Sequence, residues 1–223
     1  MDALSQTRFG QAIALATSSP FGVGGGRFHY SNSEEFVDTV YMGAWPRDVF
    51  RRIGLFDEEM VRNQDDELNY RLRSHGGKIL LSPRIRSQYY NRTSPRALWR
   101  QYFQYGYWKV RVMQKHPRQM RPRQFIPALF IGVLLVTLIL SPLSFISRYL
   151  FLLIVGSYLI ASVAASIVTR PRDWKVFPLL PIAFATLHFS YGLGFLVGLV
   201  KFWKRWGKGQ SPSARPLQKA EQI

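Results

Sequence analysis

Three long apolar stretches dominate the second half of the chain: 125–140, 149–168 and 177–200. None holds an Asp, Glu, Lys or Arg, and each approaches the roughly 20 residues that a helix needs to cross a bilayer. The first is the shortest and ends at Ser141-Pro142, so it also reads as a buried core helix. The other two predict membrane segments, which gives a membrane region of two to three segments. The third, with Pro178, Pro181, His188, Gly192, Gly194 and Gly198, is the one expected to be irregular or tightly packed. His188, in mid-segment, is expected to satisfy an interhelical hydrogen bond, with a functional role as the alternative.

Before these stretches the pattern is polar and mixed. Residues 37–43 read as a buried strand, 47–53 as a short helix, and 65–74 as a helix stopped by Gly76-Gly77. Residues 78–81 read as a strand ended by Pro83, and 98–115 as a long aromatic helix ended by Pro117. Alternating strand and helix signals predict an α/β unit. The expected layout is an α/β part over 1–116, a basic juxtamembrane linker over 117–124, a membrane region over 125–200 and a basic tail over 201–223, disordered from Gly209 on. Gly22, Gly24, Gly25 and Gly26 read as a mobile loop or tight turn; no Lys-Ser/Thr follows them, as a phosphate-cradling loop would require.

Charge sharpens the membrane reading. The net charge is +17, from 30 Lys and Arg against 13 Asp and Glu. Between Arg84 and Gln124 stand 11 basic residues and no acidic one, running directly into the first apolar stretch. That is the arrangement of a cytoplasmic juxtamembrane segment, so the expected partner is anionic membrane lipid and not nucleic acid. Topology has a conflict built into it. Arg170, Arg172 and Lys175 make one loop basic, and Lys201, Lys204, Arg205 and Lys208 make the tail basic as well. Three full crossings cannot leave both on the cytoplasmic side, so either one segment is re-entrant or interfacial, or the positive-inside signal is overridden once. Residues 1–20 carry no signal-peptide pattern, which leaves targeting to the apolar segments and predicts a multi-pass protein of a bacterial-type inner (plasma) membrane. The chain has no cysteine, which excludes disulfides, thiolate metal sites and cysteine nucleophiles.

Acids are scarce, yet six of them cluster: Asp57-Glu58-Glu59 and Asp65-Asp66-Glu67. Helix-dipole stabilisation and capping at the start of the 65–74 helix account for several without catalysis. The longer string gives a second reading. Ile53-Gly54-Leu55-Phe56-Asp57-Glu58, Asn63-Gln64-Asp65-Asp66-Glu67-Leu68-Asn69-Tyr70-Arg71-Leu72-Arg73 and Gly76-Gly77-Lys78-Ile79 together resemble the acceptor-side motif of family 2 glycosyltransferases. The resemblance continues upstream at Asp38-Thr39-Val40 and Gly43-Ala44-Trp45-Pro46-Arg47. Downstream, Gln104-Tyr105-Gly106-Tyr107-Trp108 is similar to the Gln-x-x-Arg-Trp signature of processive members.

The resemblance implies a partial GT-A-like fold, its acceptor-side half, carried on a helical membrane region with the catalytic part on the cytoplasmic side. It implies inverting transfer from a nucleotide sugar to a lipid-linked saccharide, as in transferases that build succinoglycan-type exopolysaccharide repeat units. Asp65 falls on the family's catalytic base, which takes the proton of the acceptor hydroxyl. Gly43, Gln64, Asp66, Arg71, Gln104, Tyr107 and Trp108 fall on substrate-binding positions, with Trp108 as a stacking platform for a sugar ring. Gln64 stands where the family usually has Glu. Tyr107 stands where processive members have Arg, which favours single-sugar addition. Like-charge repulsion from Asp66 and Glu67 would raise the Asp65 pKa, while Arg71 would oppose it; the sequence leaves the winner open. The family also implies a divalent cation (Mg or Mn) held by an Asp-x-Asp motif, and no two Asp separated by one residue occur in this chain. The implied nucleotide-binding half therefore has no counterpart here, and no metal ligand is expected among these residues. An inactive membrane remnant and a basic membrane protein binding anionic lipid are the alternative readings.

Overall fold

A computed structural model describes residues 2–206, apart from 6, 25, 30 and 86. In chain order the elements are β1 (Asp2–Leu4), α1 (Arg8–Thr17), α2 (Pro20–Val23), β2 (Glu35–Val37), α3 (Arg47–Ile53), α4 (Gln64–Ser74), β3 (Ile79–Leu81), β4 (Gln88–Tyr90), α5 (Pro95–Lys115), α6 (Ile126–Leu140), α7 (Phe145–Thr169) and α8 (Leu179–Lys201). Gly25 and residues 207–223 of the expected basic tail lie outside the described residues.

Helices dominate, and the sheet is smaller than the alternating pattern predicts. β1 pairs parallel with β4, and β2 pairs antiparallel with β3, each as a two-stranded unit. The strand expected over 37–43 is confined to Glu35–Val37. Beyond it the chain is held by side chains in place of a ladder: Asn69 donates to the Val40 carbonyl at 3.0 Å and to Thr39 Oγ1 at 2.8 Å. The extramembrane core is modest, with Val49, Ile53, Leu68, Leu72 and Ile79 at its centre. Burying Leu68 fully contributes about 2 kcal/mol.

Helix ends follow local chemistry. Thr7 caps α1 by accepting from the Gly10 N–H at 3.1 Å, and Ser94, followed by Pro95, caps α5. α4 stops at Gly76, whose φ of 80° is the left-handed conformation that ends a helix most cheaply in glycine. α5 stops before His116-Pro117 because a residue preceding proline is disfavoured in the helical region.

α8 is the axis of the molecule. Its first half packs on α1 through Val176, Leu180, Ala183, Phe184 and Leu187 against Ala12, Ile13 and Ala16. Its second half lies against α5, backbone to backbone. A Cβ on Gly106 would stand 2.0 Å from the Tyr191 carbonyl oxygen, and one on Gly194 would stand 2.1 Å from that of Phe103. His188 bridges two elements, accepting from the Tyr158 hydroxyl of α7 and donating to the Phe21 carbonyl of α2, both at 2.9 Å. α7 and α8 are long and apolar enough to cross a membrane; α7 is almost wholly exposed, whereas half of α8 is buried. α6 has 15 residues and measures about 22 Å, short of a hydrocarbon core of roughly 30 Å.

Candidate functional site

The three consecutive acids in the first turn of α4 have three different settings. Glu67, 2% exposed, points inward and receives a two-pronged contact from Arg71, Nε to Oε1 at 2.7 Å and Nη2 to Oε2 at 2.9 Å. His116 donates to the same carboxylate from Nε2 at 2.9 Å. Asp66 is largely buried; Thr39 donates to its Oδ1 at 2.9 Å, and the Lys109 ammonium of α5 pairs with its Oδ2. Burial by itself would raise the Asp66 pKa, but the Lys109 charge and the hydrogen bonds from Lys109 and Thr39 outweigh it and hold the carboxyl below its usual range.

Asp65 differs from both. It is half-buried, and among the described residues no cation lies within ion-pair distance of it. Burial raises its pKa, the neighbouring Asp66 adds to the rise, and a hydrogen bond from the Met42 backbone N–H opposes it. The shift thus goes in the direction that makes an aspartate a better proton acceptor. Met42 takes a left-handed φ of 51°, and this turn brings its N–H to Asp65. Gly43 permits the turn, since a Cβ there would stand 2.8 Å from the Trp45 ring.

Beside this carboxylate stands Tyr41, the first of a linked row of phenols. Tyr41 meets Tyr89 edge to face at 5.8 Å between ring centroids. Gln101 of α5 donates to the Tyr89 hydroxyl at 3.0 Å and to the Tyr105 hydroxyl at 2.8 Å, and it accepts from Arg92 at 3.2 Å. The Tyr105 carbonyl accepts from Asn63, the left-handed residue that opens α4, at 3.0 Å. Burial raises the pKa of Tyr41 and of Tyr105, so both stay neutral and keep their hydroxyl protons for donation. Half-exposed aromatic rings with hydroxyl and amide tips suit a ligand with an apolar face and a polar rim.

The residues expected from the motif divide between this rim and other places. Asp65, Asp66 and Gly43 lie at one turn, with Gln64 beside them donating to the Val61 carbonyl at 3.3 Å. Arg71 lies beneath the rim: it is 6% exposed, and besides Glu67 it binds the carbonyls of Ile53 and of Leu55, the latter at 2.6 Å. Arg71 thus pairs with Glu67 rather than countering Asp65. Tyr105 and Lys109 of α5, and His116 just past its end, reach α4 and Asn63 at its start, while Gln101 bonds Tyr89 and Tyr105. Gln104, Tyr107 and Trp108 occupy the adjoining stripe of α5. Trp108 donates to Gln104 at 3.1 Å, and both Tyr107 and Trp108 pack on Phe202 at the end of α8. Gln104 also lines an open groove of about 450 Å³ with Arg96, Trp99, Arg100 and Phe103.

Part of the basic block turns inward, contrary to the juxtamembrane expectation. Lys109 serves Asp66, Arg111 forks onto Glu59 at 2.8 and 3.0 Å, and Lys115 binds Asp57 and Glu59. The acids of the 57–59 turn therefore fasten α5. Tyr41, Tyr89, Gln101, Tyr105 and Lys109 are the site residues that sequence reasoning missed. For all but Tyr41 the local aromatic density around 89–90 and 102–108 was the signal, but their partners lie too far along the chain to be read from spacing.

Among the described residues no group of three or more His, Asp or Glu side chains converges. The residues present therefore do not form a site for the divalent cation that the resemblance implies, and no step is drawn through one.

Comparison with known proteins gives a consistent direction. The chain is 28% identical over 116 residues to the succinoglycan biosynthesis protein ExoA of Rhizobium meliloti (strain 1021), covering 52% of this chain and 35% of that protein. It is 28% identical over 204 residues to the dolichyl N-acetyl-alpha-D-glucosaminyl phosphate 3-beta-D-2,3-diacetamido-2,3-dideoxy-beta-D-glucuronosyltransferase of Methanococcus voltae, covering 89% of this chain and 58% of that enzyme. No family model matches the chain, and no solved structure does. The chain is thus related to proteins of polysaccharide and glycolipid synthesis, a glycosyltransferase among them, and spans between about a third and three-fifths of their length.

Proposed function

We propose that this chain is the acceptor-side, membrane-bound part of an inverting glycosyltransferase that moves a sugar from a nucleotide sugar to a lipid-linked saccharide in polysaccharide synthesis. The carrying observation is the contrast in the first turn of α4, where Asp66 is paired with Lys109 and Glu67 with Arg71 and His116, while Asp65, among the described residues, has no cation within ion-pair distance and a raised pKa. In this reading Asp65 takes the proton of the acceptor hydroxyl as that oxygen attacks the anomeric carbon, and the bond to the nucleoside diphosphate breaks with its electron pair leaving on the phosphate. Tyr41, Tyr89, Tyr105 and Gln101 hold the acceptor sugar. Asp66, tied to Lys109 and Thr39, fixes the turn that presents Asp65. The family 2 assignment, the GT-A-like fold, the cytoplasmic placement of the site and the multi-pass anchor belong to this proposal. So does the divalent cation, which would be held with the donor by a nucleotide-binding half outside these residues.

The test uses membranes that carry the protein with its donor-binding part and a radiolabelled nucleotide sugar. Asp65→Asn is expected to lower incorporation into extractable lipid by roughly 10²–10⁴-fold while the protein stays in the membrane fraction. Unchanged incorporation overturns the assignment of the base.

A further inference from the structure

Both ends of α8 are fastened to the extramembrane part of the chain. At its start, the Trp174–Val176 turn packs on α1, with Val176 in the shared core and Arg8 paired with Asp173 at 3.8 Å. At its end, the Phe202 carbonyl accepts from Gln114 of α5 at 2.9 Å, and Arg205 binds Glu59 at 2.8 Å. Between those ends, α1, α2 and α5 run beside it. α5 could not follow α8 through hydrocarbon, because it carries Lys109, Arg111 and Lys115 in ion pairs with Asp66, Glu59 and Asp57. A helix of 23 residues is about 34 Å long, enough to span, yet this one is held to the polar part of the molecule at both ends, while α6 and α7 meet it near its middle, at His188, Phe189 and Gly192.

The other face of α8 is apolar. Ile182 and Val200 are exposed, and Leu193 between them is partly so. Trp174 and Trp203 flank the helix at 75% and 73% exposure, beside Lys175 at one end and Lys201 and Lys204 at the other. Trp and Lys at both ends of an apolar stripe fit a spanning helix as well as one lying at headgroup depth, and the ion-paired α5 running beside α8 selects the second. α6 and α7 behave differently. Their turn exposes Leu143 at 84% and Phe145 at 78%, and no extramembrane element covers it.

We infer that α8 lies in the interfacial plane of an anionic membrane, its Ile182–Val200 face on the lipid, and that α6 and α7 alone insert, as one hairpin. This rests on the membrane-bound part of the proposed function and not on sugar transfer. It resolves the charge conflict, because the 170–175 loop and the residues after Lys201 then lie on the same side, with the positive-inside rule kept at both.

The absence of native cysteine makes the test direct. Single cysteines replace three exposed residues, Asp48→Cys in α3, Arg172→Cys before α8 and Lys204→Cys after it, and a membrane-impermeant maleimide is applied to sealed vesicles of known orientation. All three are expected to label from the same face. Labelling of positions 172 and 204 from opposite faces overturns the inference while leaving membrane attachment intact, so the two readings fail separately. As a second measurement, nitroxides at Ile182→Cys and Leu193→Cys in vesicles containing phosphatidylglycerol are expected to report equal, shallow depths. A much deeper position for 193 than for 182 overturns it as well.

Discussion

The outer rim of α4 and the packed region beneath it use the same residue type to opposite ends. Beneath, Glu67 meets Arg71 and His116, and every charge has an answer. On the rim two positions away, Asp65 meets a backbone N–H and lies close to the Tyr41 phenol, and among the described residues its charge is answered by neither a lysine nor an arginine. The difference teaches that an acidic cluster is best read by its partners. A carboxylate locked to cations holds the fold, and one left apart from them is the candidate to move a proton.

That contrast can be broken at its strongest point first. Because the Asp65 pKa is raised above the model-compound value of 3.8, the rate of transfer should fall as pH drops through a midpoint above that value. A pH–rate profile in membranes checks this, and Asp65→Asn should remove both the rate and the profile. The same raised pKa means that folding disfavours the charged form of Asp65. Its contribution to stability is complete at low pH and lost as pH rises through the folded pKa, so Asp65→Asn should leave neutral-pH stability unchanged or slightly higher. Next, Arg71→Ala should cost about 3–5 kcal/mol, because it strands Glu67 without its main partner inside the protein. Protease resistance of the extramembrane part, followed against temperature, reads this out.

Asp66 should show the reverse pH dependence to Asp65. Its lowered pKa contributes stability above the ordinary carboxylate range that is lost as pH falls through the folded pKa, and Asp66→Asn should abolish that acid-sensitive component in a thermal melt. The smallest effect is expected at Gln101. Gln101→Ala removes two hydrogen bonds to tyrosine hydroxyls, each contributing about 1 kcal/mol, and should raise the KM for the acceptor while leaving the pH profile in place.

Much of the helical framework was legible because its signals are local. The 47–53 and 65–74 helices and the end of the aromatic helix follow from glycine, proline and apolar spacing, and the structure has α3, α4 and α5 there, with α5 starting earlier, at Pro95. α1 escaped notice because its buried face, Ala12 and Ala16 beside Ile13, falls within one short apolar run that also reads as part of an irregular segment. The 37–43 strand was over-read because Asn69, some 30 positions away, satisfies the backbone that a ladder would otherwise claim. The same distance problem governs the site. The motif made Asp65 a candidate, but Lys109 and Arg100 look alike in a basic run, and only the fold brings an acid 43 positions upstream to one of them.

The glycines between α5 and α8 carry a consequence for the substrate. Gly106, Gly194 and Gly198 fuse the two helices with almost no slack, and Lys109 ties the same α5 to the turn that holds Asp65. With α8 resting on the lipid as inferred, the carboxylate would be set at a fixed altitude above it. Under the proposed function a lipid-borne acceptor would then react only at the sugar its tether lifts to that altitude, and the linkage would act as a ruler that counts saccharide units from the bilayer.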